Sequence, residues 1–368
     1  MGVSNERPTW RRRVRATAGW TAVGVTVAAG FFWLSGGYDS WRLDRALDEA
    51  CDGDLAAAEV RALFPDTEFE SHQDNGGARC RLRVADENED GRAALTVGLR
   101  WASDIRYGLD AEPWSAPLGH GWTGSFAFDP DADADRHDQA TAVVLLDCGG
   151  RSAERSGDRV IATVDARLAK GDFSDPAARK ELTAVLTGTA TSFAERAGCD
   201  VRPGQPVDDV GFSTTPWDHE PFAGADGTCA GVLDGPTARR WGVRTVIETA
   251  AGRAPSEACT LGGLDGSPLY ELTADYGPFA ADARFRRSTF DTSETSDTTG
   301  TGVSPDGHHW LEARCPGEEA DALYAVSPVS SARDDVAPDV DHDGLPAALQ
   351  RFAEASAKRH GCQKPQAS

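Results

Sequence analysis

LTAVLTGTATSFAERAGC, residues 182–199, returns 163 residues later as LPAALQRFAEASAKRHGC, residues 345–362. At that offset Leu182 matches Leu345, Leu186 matches Leu349, Arg196 matches Arg359, and Gly198-Cys199 matches Gly361-Cys362. Apolar residues Leu182, Val185, Leu186 and Phe193 in one stretch, and Leu345, Ala348, Leu349 and Phe352 in the other, fall on one helical stripe. Glycine directly after the periodic residues is a helix stop. Each stretch therefore predicts an amphipathic helix ending in Gly-Cys.

The remaining cysteines extend the doubling. Cys51, Cys80, Cys148 and Cys199 are separated by 29, 68 and 51 residues; Cys229, Cys259, Cys315 and Cys362 by 30, 56 and 47. Each set spans an ordinary domain length, 149 and 134 residues of the 368. Two copies of one disulfide-stapled domain explain this pattern. Zinc explains it poorly, because no Cys-x-x-Cys pair occurs. An even cysteine count, all beyond an apolar N-terminal segment, points to an oxidising compartment.

Other elements repeat in order. Ala140 to Cys148 and His309 to Cys315 read as strands that end at the third cysteine, followed by strands at Val160–Val164 and Leu323–Val326. Before them an aromatic strand is expected in each copy, carrying Phe126 and Phe128 in the first and Phe285 and Phe290 in the second. A short helix over Leu55–Phe64 and another ending at Arg240-Trp241-Gly242 open the copies. Strands follow at Arg79–Val84 and Ala93–Trp101, and at Thr245–Glu248 and Leu269–Tyr276. Residues 200–222, with four prolines, read as a linker that leaves the copies partly independent.

The N-terminus has the physics of a signal anchor. Arg11, Arg12, Arg13 and Arg15 precede an uncharged run from Ala16 to Gly37. Its apolar part, about 19 residues, would cover about 28 Å as a helix, close to a bilayer's hydrocarbon thickness. The arginines orient it with the N-terminus inside. No Ala-x-Ala cleavage site follows the run. No cysteine follows it directly, as a bacterial lipoprotein would need. The expected layout is a cytoplasmic tail (1–17), a transmembrane anchor (18–37), a first repeat (38–199), the linker (200–222), a second repeat (223–362) and a tail (363–368). A helix from Tyr38 to Ala50 would join membrane and first repeat.

Charge divides across that anchor. The chain carries −22 overall, but residues 1–17 carry +4 and the remainder −26. Such a field disfavours nucleic acid as a partner and favours cations or basic partners. Only four of the 37 basic residues are lysine, a usage typical of high-GC bacterial coding.

The apolar anchor, a cysteine, the helix with Leu55, Glu59, Val60 and Leu63, and a cysteine on a strand are together similar to the uncharacterised envelope lipoprotein and anchored-protein domains of actinobacteria. The resemblance covers roughly residues 40–362. It implies an α+β domain outside the membrane, with a curved antiparallel sheet and helices, and it implies no reaction. The acylated cysteine of the lipoprotein members is missing here, so their anchoring does not carry over.

Chemistry is sparsely marked. The serine-hydrolase and zinc-hydrolase strings Gly-x-Ser-x-Gly, Ser-x-x-Lys and His-Glu-x-x-His do not occur. His219-Glu220 stands in the linker, and His308-His309 are neighbours in a strand, pointing to opposite faces and so a poor chelate. Asp339, Asp341, Asp343 and Gly344 match the first half of a calcium loop, yet position 12 is Gln350. A second acidic run, Asp129, Asp131, Asp133, Asp135 and Asp138, lacks the turn glycine. No cofactor is expected. The expected disulfides are Cys51–Cys80, Cys148–Cys199, Cys229–Cys259 and Cys315–Cys362. The expected function is non-catalytic binding or structure at a bacterial envelope, with the lipid bilayer and an envelope protein or wall polymer as partners. The alternative is a hydrolase of cell-wall material with its site between the repeats. A signalling receptor is disfavoured by so short a tail.

Overall fold

The computed structural model is α+β, with two seven-stranded antiparallel sheets and four disulfides. It describes residues 45–365 apart from 66, 68, 74–78, 85–92, 106–107, 110–113, 129–136, 150–157, 216–217, 291–301, 304–306, 317–320 and 330–343. The expected anchor at 18–37 lies outside the described residues, and the expected joining helix enters them only at residues 45–50, of which 45–49 are α-helical and Ala50 begins a 3-10 turn. Among the described residues no helix is long and apolar enough to cross a membrane.

The first half opens with helix α1 (Ala57–Leu63) and continues through strands β1 (Phe69–Gln73), β2 (Arg79–Val84), β3 (Ala94–Trp101), β4 (Ala116–Pro117), β5 (Thr123–Phe128), β6 (Gln139–Asp147) and β7 (Arg159–Arg167). Helix α2 (Pro176–Arg196) closes it. The sheet order is β1-β2-β3-β7-β6-β5-β4. Along β3 the alternation Leu95, Val97, Leu99 turns one face inward onto Leu182, Val185 and Leu186 of α2. Strand β6 and the Val160–Ala162 start of β7 read instead as apolar runs because both faces are covered there: Val144 and Val160 join the α2 core, while Val143, Leu145 and Ile161 join a separate cluster. The Asp175 side chain caps α2 by accepting from the Ala177 backbone at 2.9 Å.

The second half holds β8 (Glu220–Pro221), α3 (Gly235–Arg240), β9 (Thr245–Glu248), β10 (Ser256–Gly262), β11 (Pro268–Tyr276), α4 (Pro278–Phe290), β12 (Gly302–Val303), β13 (His309–Arg314), β14 (Asp321–Pro328) and α5 (Leu345–His360). Its sheet order is β12-β13-β14-β11-β10-β9-β8. Leu345, Ala348, Leu349 and Phe352 of α5 pack on Cys259, Leu261, Leu272 and Tyr324 from the sheet.

One expected element is wrong in type. The segment with Phe285 and Phe290 is helix α4, not an aromatic strand. Its Ala- and Arg-rich composition favours helix, it carries no β-branched residue before Thr289, and Phe279, Ala280 and Asp282 are buried along one side. An i,i+4 ion pair, Asp282–Arg286 at 3.2 Å, reinforces it.

Apart from a single bridge between Asp200 and Gly149, the described residues of 200–219 form no helix or strand, yet they are not a loose tether. Val207, Val210 and Ser213 are buried. Buried Arg179 donates to the carbonyls of Val210, Phe173 and Ser174 at 2.8–3.0 Å, and Trp122 Nε1 donates to the Gln205 carbonyl at 2.8 Å. Chain and indole lie so close that a Cβ at Gly204 would meet Trp122 at 2.5 Å. Thr214 Oγ1 then donates to the Glu248 carbonyl of the second half at 2.6 Å. The expectation of partly independent copies meets a connection pinned at both ends.

Further contacts join the halves. Phe279 of α4 packs with Leu109, Val143, Leu145 and Ile161 of the first half. The Gly108 amide donates to buried Asp282 at 2.7 Å, and Trp114 Nε1 donates to Thr260 Oγ1 at 3.3 Å.

Candidate functional site

The eight cysteines form Cys51–Cys80, Cys148–Cys199, Cys229–Cys259 and Cys315–Cys362, with none free. The last pair of each half ties the closing helix to the strand beneath it. Three residues before the last cysteine of each half, an arginine binds a carboxylate that is almost fully buried. Arg196 reaches both oxygens of Asp54, and Arg359 reaches Glu257.

Around Glu257, 2% exposed, polar groups gather under α5. Ser356 donates to its Oε2 at 2.8 Å, and His360 Nε2 lies 2.8 Å from its Oε1. The His360 ring stacks on Tyr276 at 3.5 Å, and the Tyr276 hydroxyl bonds Ser356. Burial, and then the Glu257 charge, push the Tyr276 phenol well above its ordinary value; burial pushes Tyr324 up to about 12. Glu257, Ser356, His360 and Tyr276 pair with one another in the interior, while the Tyr324 hydroxyl and Arg359 Nε find no hydrogen-bond partner among the described residues. Their arrangement cements a helix to a sheet.

The opposite face of the same sheet carries a different set. Register places Ile247, Thr260, Glu271 and Ser327 side by side on β9, β10, β11 and β14. Their neighbours Cys259, Leu261, Leu272 and Val326 face α5, so this row faces away from it. His308 ends the row, its Nδ1 2.7 Å from Ser327 Oγ, and Trp114 of the first half stands over Thr260. Glu271 is only partly covered. Burial alone raises its carboxyl pKa, and among the described residues no hydrogen bond or ion pair reaches it. Ser327 and His308 are likewise partly exposed. A half-desolvated carboxylate between two hydroxyls, an imidazole and an indole is suited to hold a polar ligand.

Of the residues singled out by sequence, His308 alone joins this row. His309 pairs instead with Val326, on the α5 side. His219 and Glu220 are exposed between the halves. Asp339, Asp341 and Asp343 lie outside the described residues, as do Asp129, Asp131, Asp133 and Asp135. Among the described residues no group of three or more His, Cys, Asp or Glu is placed to hold a metal. Sequence alone does not single out Thr260, Glu271 and Ser327, because an isolated Thr, Glu or Ser in a strand carries no signal of what lies beside it; cross-strand register is what aligns them. No family model, no curated protein and no solved structure matches this chain.

Proposed function

We propose that the chain is a membrane-anchored, extracytoplasmic binding protein of a bacterial envelope, built from two copies of one disulfide-stapled unit and acting without catalysis. The anchor is residues 18–37, and the copies are 38–199 and 223–362. Three observations support the duplication. Without the two-residue edge strands β4 and β8, the sheet orders are β1-β2-β3-β7-β6-β5 and β9-β10-β11-β14-β13-β12. The disulfides occupy corresponding places. In each half an arginine three residues before the last cysteine binds a buried carboxylate, drawn from different positions, Asp54 after the first cysteine and Glu257 on β10. The observation that carries the binding reading is Glu271, partly exposed on a sheet face with no partner among the described residues. Its partner in the cell is an envelope protein or wall polymer, met at the outer membrane surface.

The test is photo-crosslinking in intact cells. A crosslinker at Leu264, 86% exposed in the turn beside the row, should capture such a partner. One at exposed Lys170 of the first half should not. Equal capture at both positions would overturn the site assignment.

The hydrolase alternative is favoured by one contact, Ser327 Oγ to His308 Nδ1, a hydroxyl beside a base at hydrogen-bond distance. Turnover of wall material by the purified chain, abolished by Ser327→Ala, would establish it.

A further inference from the structure

The geometry points to a primary ammonium group as the ligand of the Thr260–Glu271–Ser327 row, an inference that rests on the binding reading above. Glu271 stands between two hydroxyl-bearing residues in direct cross-strand register. Antiparallel neighbours on one face hold their Cβ atoms roughly 4.5–5.5 Å apart. Two acceptors bound by one tetrahedral nitrogen at about 2.8 Å sit about 4.6 Å from each other. At that strand spacing a carboxylate oxygen and one flanking hydroxyl can both come within hydrogen-bond reach of a single ammonium, which offers three N–H bonds.

Charge argues the same way. Withdrawing a carboxylate from water without a counter-charge is costly, and a cationic ligand removes that cost where a neutral one does not. Facing Glu271 are Thr260 from β10, Ser327 from β14 and, one place further, His308 ahead of β13. No lysine or arginine is among them. The hydroxyls keep acceptor capacity, since each oxygen has two lone pairs and Thr260 spends one on Trp114. The surrounding chain, at −22, raises the local concentration of any cation.

An ammonium of this kind can come from an amino sugar or from a lysine-like side chain. The two sources are separated by titrating the full-length chain in detergent with glucosamine and with a lysine-containing tripeptide. N-acetylglucosamine and the same tripeptide acetylated on Nε serve as counterparts without an ammonium, the peptide N-terminus being blocked by an acetyl group in both forms. At least one amine should bind, and its acetylated counterpart should bind about tenfold or more weakly, the usual loss for a charge-assisted hydrogen bond. Glu271→Gln should cause a similar loss with unchanged far-ultraviolet dichroism, and Ser327→Ala a smaller one. Acetylated and free probes binding equally, with both sensitive to Ser327→Ala, would overturn the ammonium assignment while leaving a binding face in place. If no probe binds and crosslinking at Leu264 also captures nothing, the binding reading fails with it. Retained amine affinity in both variants would overturn the site.

Discussion

Gly361 has φ +71° and ends α5 in the left-handed conformation, where the Cys362 amide reaches back to the Ala357 carbonyl at 2.9 Å. Gly198 does the same for α2, with φ +76° and the Cys199 amide on Ala194 at 2.9 Å. A Cβ at 361 would meet only Pro316 Cγ at 3.8 Å, so Gly361→Ala carries a backbone cost and no clash. About 1–2 kcal/mol of stability should be lost, read as a lower denaturant midpoint with unchanged slope. A second expectation concerns the phenols. Tyr270 and Tyr324 are pushed to about 12 by burial, and Tyr276 is pushed well above its ordinary value by burial and the Glu257 charge, three of the five tyrosines. A folded pKa above the unfolded value of about 10 contributes stability below pH 10 that is lost as pH rises through the folded value. Phenolate absorbance should therefore register these three late, together with alkaline unfolding. Ionisation of all five near pH 10 in the folded protein would contradict the packing.

Helices and disulfides were the legible elements, and the reason is local. The α2 and α5 stripes and their glycine stops are written in spacings of a few residues, and the cysteine order shows itself in the doubled intervals. β10 was missed because Ser256 to Gly262 is buried on both faces and shows no alternation. α4 was read as a strand because two phenylalanines outweighed an Ala/Arg run. The candidate site was legible only at His308, since Thr260, Glu271 and Ser327 are brought together by non-local pairing. Partners across elements were equally hidden: Glu257 lies about a hundred residues from the three α5 side chains that contact it. That cluster gives a sharp expectation. Glu257→Gln leaves Arg359 and His360 without their carboxylate, and breaking a buried pair in this way costs about 3–5 kcal/mol. Arg196→Ala should cost less than Arg359→Ala, because the Arg196 side chain is 51% exposed against 21% for Arg359 while the two carboxylates are equally buried. Equal losses, measured by urea unfolding, would show that burial does not rank the two pairs.

At the scale of the molecule, each half owns a core, and such halves unfold separately unless their interface is strong. Here the interface has an apolar centre and polar ties. Phe279, 3% exposed, enters a cluster whose other buried members, Leu109, Val143, Leu145 and Ile161, belong to the first half. Around it the Gly108–Asp282, Trp114–Thr260 and Thr214–Glu248 hydrogen bonds join the same two bodies, and the stretch from 200 to 219 is anchored to both. The chain should therefore melt in one calorimetric transition whose van't Hoff and calorimetric enthalpies agree. Phe279→Ala removes the one side chain that, among the described residues, the second half contributes to that cluster, at about 3–5 kcal/mol if the site does not collapse. Because Phe279 is not part of the Leu272–Phe352 core, the loss falls on the contact between halves more than on the second half itself. The variant should then resolve into two transitions, one for each disulfide-stapled half. Two transitions already present in the parent chain would mean that the interface, although well packed, does not couple the halves, and a free hinge between them would regain its place in the binding mechanism.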